Sequence, residues 1–147
     1  MKTNSLPTIV YVDFIQIEDI SIYPHKNIAP GDTISIIGYF RKLKLSEPSS
    51  CNVTTEQTPN GLVYNTKISG VTFDDGNFSL QQLLQTKFHV YRITDVCKVT
   101  YLIGLNEKPF PEIIFSNVND ASPSGLRAIN FEITWISTLP PIEIFDL

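Results

Sequence analysis

The sequence predicts a mainly β domain, an antiparallel β-sandwich or barrel with one short α-helix packed on it. Three observations lead there. Isoleucine, valine, threonine, phenylalanine and tyrosine are plentiful while alanine is nearly absent, a balance that favours a pleated, half-buried surface over helices. Turn signals built from Pro, Gly, Asn and Asp divide the chain into short pieces. Within those pieces apolar residues follow the two-residue period of strands. The length of 147 residues suits one domain, which at that size buries roughly 70% of its unfolded surface. Residues 1–138 are therefore read as a single β domain and 139–147 as an extended C-terminal arm.

The first strand is expected over Thr8 to Ile17, with Ile9, Tyr11, Ile15 and Ile17 on one parity and Val10, Val12 and Phe14 on the other. A strand apolar on both faces is central or covered by a partner. Ile20 and Ile22 continue the pattern until Pro24, and Ala29-Pro30-Gly31-Asp32 then reads as a turn. A long strand follows from Thr33 to Leu45. Its apolar parity is even at Ile34 and Ile36 and odd at Ile37, Tyr39, Leu43 and Leu45. Such a switch turns side chains to the other face unless a residue is bulged out. Gly38 stands at the switch, so the chain is expected to bend there.

Cys51 to Gln57 and Leu62 to Phe73 flank Thr58-Pro59-Asn60-Gly61, the strongest hairpin signal present. Asp74-Asp75-Gly76-Asn77 is a second turn. The helix is expected over Ser79 to Thr86, where Leu80, Leu83 and Leu84 make one apolar stripe and Asn77 or Ser79 can cap it. About two turns cannot stand alone, so it must lie against a sheet. Phe88 to Thr94 and Val99 to Gly104 form a second hairpin around Asp95-Val96-Cys97-Lys98. A proline-punctuated connector, Glu107 to Pro111, leads to a short strand at Ile113 to Phe115, and Asn117 to Gly125 is a polar loop. The last long strand alternates cleanly: Ile129, Phe131, Ile133 and Trp135 against Asn130, Glu132 and Thr134. One face is expected in the core and one in water.

No catalytic chemistry is legible. The net charge of −4 argues against a dedicated nucleic-acid binder, which needs a basic stripe. Arg41, Lys42 and Lys44 are read as a solvated strand edge. No apolar run approaches the ~20 residues of a membrane span, and residues 1–7 lack the apolar stretch of a signal peptide. Cys51 and Cys97 fall at expected loops or turns, where either can be a free thiol, and whether they pair is left open. His25 sits in a turn and His89 in a strand as an ordinary packed or edge residue. Neither His nor Cys clusters in metal-ligand spacing, so no metal and no cofactor is expected. Asp74 and Asp75 read as turn residues without the EF-hand alternation. Asn52-Val53-Thr54 and Asn77-Phe78-Ser79 match the glycosylation sequon and are read as coincidence. There is no phosphate-binding glycine loop and no nucleophile elbow.

The segment beyond Pro140-Pro141 is apolar, and Ile142, Ile144, Phe145 and Leu147 are the candidate subunit interface. Such an arm can add a strand to a neighbour's edge or pack back on its own sheet. If it reaches a neighbour, deleting 142–147 weakens self-assembly and leaves β content intact.

Several stretches carry a resemblance. They are Gly61-Leu62-Val63-Tyr64 running to Ile68-Ser69-Gly70, Leu80 to Leu84, Tyr91-Arg92-Ile93-Thr94-Asp95 answered by Tyr101-Leu102-Ile103-Gly104, and Phe131-Glu132-Ile133-Thr134. Over about residues 51–138 the chain resembles small virion structural proteins of tailed phages that infect Bacteroidetes, including crAss-like phages. In such proteins the hairpin after the Asp often carries Gly; here Val96-Cys97-Lys98 fills it. The resemblance implies a non-enzymatic tail or neck ring subunit, made in the bacterial host cytoplasm and located in the virion. Its partners would be copies of itself in a head-to-tail ring and other virion proteins. The other reading is a carbohydrate- or protein-binding β-sandwich of fibre or adhesin type, for which Tyr23, Tyr64 and Phe110 are the candidate exposed aromatics.

Overall fold

The computed structural model describes residues 2–23, 28–74, 78–117 and 127–144. Its first sheet is organised by the strand whose alternation is cleanest. That strand, β11 (Arg127–Ser137), lies between β7 (Gly61–Asp74) and β10 (Glu112–Asn117). Ile129, Phe131, Ile133 and Trp135 are all at most 2% exposed, while Asn130 and Glu132 face solvent. Beyond β7 come β6 (Ser50–Thr58) and β1 (Lys2–Ser5), which gives five antiparallel strands in the order β1-β6-β7-β11-β10.

The β6–β7 hairpin turns through Pro59-Asn60, with Thr58 opposite Gly61. The Thr58 hydroxyl donates to the Gly61 carbonyl at 2.8 Å, closing the turn.

The second sheet runs β12-β9-β8-β2-β5. Here β2 is Ile9–Gln16, β5 Arg41–Leu43, β8 His89–Asp95, β9 Thr100–Ile103 and β12 Ile142–Glu143. Directly paired residues share a face. Val12, Phe14, Tyr91, Ile93 and Ile103 thus lie together on the side that meets the first sheet. Ile15, Val90, Leu102 and Ile142 lie on the other side and are also buried. The two-sided apolar pattern read in β2 has this cause. The second face is covered by a two-stranded ribbon, β3 (Ser21–Tyr23) with β4 (Ser35–Ile37).

The ribbon's turn is the one expected. Pro30 and Gly31 (φ +89°) sit at its centre, the Asp32 N–H donates to the Ala29 carbonyl at 3.0 Å, and the Ala29 N–H donates to the Asp32 carboxylate at 2.8 Å.

The long strand expected over Thr33 to Leu45 is divided at Gly38. Its first part, β4, belongs to the ribbon and its second part, β5, to the sheet. Glycine is needed here for space, because a Cβ would stand 2.6 Å from Ile15 Cδ1 and 3.2 Å from the Asp19 carbonyl. Gly38→Ala is therefore expected to cost about 1–2 kcal/mol, read as a lower urea midpoint at unchanged slope.

The sheets are stitched along one corner. The chain leaves β1 through Leu6, whose N–H bonds the Cys51 carbonyl, and Ile9 exchanges two 2.8 Å bonds with Ser49 before β2 enters the other sheet. Leu45 bridges Thr72 as β5 hands the chain back. The architecture is a sandwich closed at that corner in the manner of a barrel.

The helix α1 (Phe78–Thr86) lies beside β10, with Leu84 3% exposed in the common core. Ser79 and Asn77, the two cap candidates, and Leu80 lie outside the residues whose side chains are described. The same holds for Asp75, most of the loop at 117–125, and His25.

One expectation is corrected, that Cys51 lies in a loop or turn, and two segments find their place through distant pairing. Cys51 is in strand β6 at 1% exposure, not in a loop, and it is free, as is the exposed Cys97. Lys2–Ser5, polar and without alternation, forms β1 through backbone pairing with β6. The segment after Pro140-Pro141 does not project as an arm as far as residue 144. Ile142 pairs with Leu102 and Glu143 with Tyr101, the Ile144 N–H bonds the Thr100 carbonyl at 2.9 Å, and Ile34 bonds the Glu143 carbonyl at 3.1 Å. Ile142 and Ile144 are 4% and 9% exposed. Deleting this segment would strip the sheet of an edge strand, so intact β content after deletion is no longer expected. Phe145 and Leu147 lie outside the described residues.

Candidate functional site: a basic groove beside the ribbon

Register places a polar cluster on the outward face of the second sheet. Asp13 is opposite Arg92 on one side and Lys42 on the other, Tyr11 is opposite Thr94, and Thr94 is opposite Thr100. The ribbon covers only part of that face. Where it stops, a groove of about 600 Å³ remains, bounded by Tyr11, Asp13, Lys42, Arg92 and Lys98 from the sheet side and by Ser35, Gly38 and Phe40 from the ribbon side.

The groove's floor is an ion pair. Arg92 Nε and Nη2 donate to Asp13 Oδ2 at 3.0 and 2.8 Å. The Asp13 side chain is 6% exposed and that of Arg92 33%. The guanidinium also stacks over the Phe40 ring, 4.2 Å from its centre. Lys42 lies over Tyr11 at 5.3 Å. Cation–ring contacts of this kind contribute about 0.5–1 kcal/mol each at exposed sites, and they hold two cations at the groove without burying them. Asp13 Oδ1 is buried with no hydrogen-bond partner. Lys98 lines the end of the groove from the β8–β9 turn, where it adopts φ +68°, the left-handed backbone that glycine would take more easily. The Asp95 carboxylate steadies this turn by accepting from the Val99 N–H at 3.0 Å.

Next to the groove the β4–β5 corner exposes large apolar side chains. Ile37 is 65% exposed and Tyr39 90%, and Tyr11 on the neighbouring strand β2 is 54% exposed. Arg41, Lys42 and Lys44 are exposed on or beside the edge strand β5, the solvated edge their pattern predicts.

The two titratable groups that invite a catalytic reading are arranged otherwise. His89 is 1% exposed on the inner face, edge-on to Phe14 at 5.7 Å between ring centres. Its Nδ1–H donates to the Lys87 carbonyl at 2.9 Å and Nε2 has no partner. Burial pushes its pKa below the ordinary 6.5, opposed by the backbone hydrogen bond. The unfolded chain takes up this proton below about pH 6.5, while the folded chain resists. Stability is therefore fully present above that pH and is lost as pH falls toward the lowered folded value. The urea midpoint of the protein is expected to fall between about pH 7.5 and about pH 5.5, and His89→Gln to fall less over the same window. Equal pH slopes would contradict the burial of a neutral imidazole. Cys51 is likewise a core group, its thiol pushed up to about 12 by burial.

Among the described residues no cluster of three or more His, Cys, Asp or Glu can hold a metal ion, and no helix is long and apolar enough to cross a membrane. Tyr23, Tyr64 and Phe110 are not brought together. They stand on β3, on β7 and in the β9–β10 connector, where Phe110 packs on Phe88 at 4.7 Å, and none of them lines the groove.

Sequence reasoning did not find Asp13 and Arg92. The signal available was an acid inside an apolar strand, Val12-Asp13-Phe14, but its partner is 79 residues away. No family model, no curated protein and no solved structure matches the chain.

Proposed function

We propose that this chain is a non-enzymatic structural subunit that works by assembling, with a tail or neck ring of a phage virion as the assembly its sequence resemblance implies. The observation that supports this reading is the β4–β5 corner. Ile37 and Tyr39 are exposed there, next in the chain to Arg41 and Lys42, and Tyr11 of the neighbouring strand β2 is exposed beneath Lys42. Interface hot spots are enriched in tyrosine and arginine set among apolar surface, and an exposed apolar cluster rimmed by polar groups marks a contact site.

The test is native mass by light scattering on the purified chain. A defined oligomer, or rings in negative-stain micrographs, is the expected result. A monomer at all soluble concentrations that binds glycans on an array would overturn the proposal in favour of the binding-module reading.

A further inference from the structure

A second groove lies on the opposite outer face of the sandwich. It sits on the outward side of the first sheet, about 710 Å³, bounded by Ile114 and Ser116 of β10, Asn130 and Glu132 of β11, and Glu47 at the stitched corner. Among the described residues its charged lining residues are Glu47 and Glu132, and both are exposed. In the first groove Asp13 is neutralised by Arg92, which leaves Lys42 and Lys98 as its free charge. The two faces thus oppose in sign, two positive charges against two negative. Each also has a large apolar side chain in its lining that is more than half exposed, Tyr11 at 54% on the basic side and Ile114 at 62% on the acidic side.

We infer that the face around the basic groove binds the acidic face of a second copy of this chain. The contact is head to tail: Lys42 and Lys98 of one copy meet Glu132 and Glu47 of the next, with Tyr11 against Ile114. This deepens the assembly reading and rests on it. The physical argument is complementarity carried by one molecule. A self-matching patch would produce a two-fold dimer, but here the matching surfaces are different and lie on opposite sides. Each copy therefore leaves one of each unsatisfied, and the contact repeats until a ring closes or a filament grows. Opposite charges across such a contact set register and reject the reversed pairing, since like charges placed together are strongly unfavourable. Because the charges are exposed, the contact must weaken with salt.

The experiment is sedimentation velocity on the full chain and on Lys42→Glu and Glu132→Lys, with Lys98→Glu as a second basic-side variant that stays clear of Asp13. All three sites are exposed, and circular dichroism checks that the fold is kept. Raising salt from about 0.05 to about 0.5 M is expected to dissociate the protein. Each single reversal is expected to weaken association by at least about tenfold. An equimolar mixture of Lys42→Glu with Glu132→Lys is expected to recover it, because each variant keeps one native face and supplies the other with its reversed complement. A mixture that stays as dissociated as its parts overturns the head-to-tail contact. An oligomer untouched by every reversal overturns the contact while leaving the assembly reading standing, whereas a monomer at low salt removes both.

Discussion

Trp135→Ala is expected to lower the free energy of unfolding by about 3–5 kcal/mol, the largest effect of any single truncation considered. Trp135 is 1% exposed and is the only tryptophan in the chain. It lies on the inward side of β11 opposite Thr66, which is 0% exposed. Its indole N–H donates to the Pro109 carbonyl at 3.0 Å, pinning the connector between β9 and β10 to the end of the sandwich. Truncation removes the ring's burial, opens a cavity that β-sheet backbones cannot close, and releases the connector. Trp135→Phe keeps most of the volume and loses the hydrogen bond, for a smaller cost of roughly 1–2 kcal/mol. Both are read from urea curves followed by far-UV circular dichroism, since the substitution removes the indole fluorescence. Folded domains hold only about 5–15 kcal/mol in all, so the alanine variant is expected to lose a large share of the total. A midpoint within error of the parent would mean that the indole is not part of the cooperative core.

Trp135 also shows why part of the fold is readable from sequence. The strand Ile129 to Trp135 obeys a local rule, side chains alternating across a pleat, and its burial follows without knowledge of its neighbours. The Ala29–Asp32 turn and the Thr58–Gly61 hairpin are local in the same sense. The parity switch at Gly38 is local as a signal, though the reason for glycine is not: the missing Cβ makes room for Ile15, more than twenty residues earlier.

What escaped is what depends on distant partners. Lys2–Ser5 is a strand only because β6 offers it a ladder. The apolar tail after Pro140-Pro141 is equally consistent with a neighbour's sheet and its own, and Leu102 and Ile34 decide the matter for Ile142 and Ile144. The groove escaped for the same reason. Its two faces come from β2, β5, β8 and the ribbon, and no spacing in the sequence announces that Tyr11, Lys42, Arg92 and Lys98 share one surface.

The ion pair beneath that surface yields the second large effect, and an asymmetric one. Arg92→Leu is expected to cost about 2–3 kcal/mol, below the usual range for breaking a buried pair because the guanidinium is one-third exposed. The substitution leaves the Asp13 carboxylate, 6% exposed and already lacking a partner at Oδ1, without the two hydrogen bonds it accepts at Oδ2. Asp13→Leu is expected to cost less, about 1 kcal/mol, since Arg92 keeps its stacking on Phe40 and can turn its free donors to water. The double variant removes both charges and is expected to be more stable than Arg92→Leu alone, a coupling that the cycle of three urea curves measures directly. If Arg92→Leu cost no more than Asp13→Leu, the carboxylate would have to be solvated or otherwise paired, and the groove would have no rigid floor. If the asymmetry holds, the pair fixes the height of Arg92 in the groove and leaves Lys42 and Lys98 as the charges free to meet a partner.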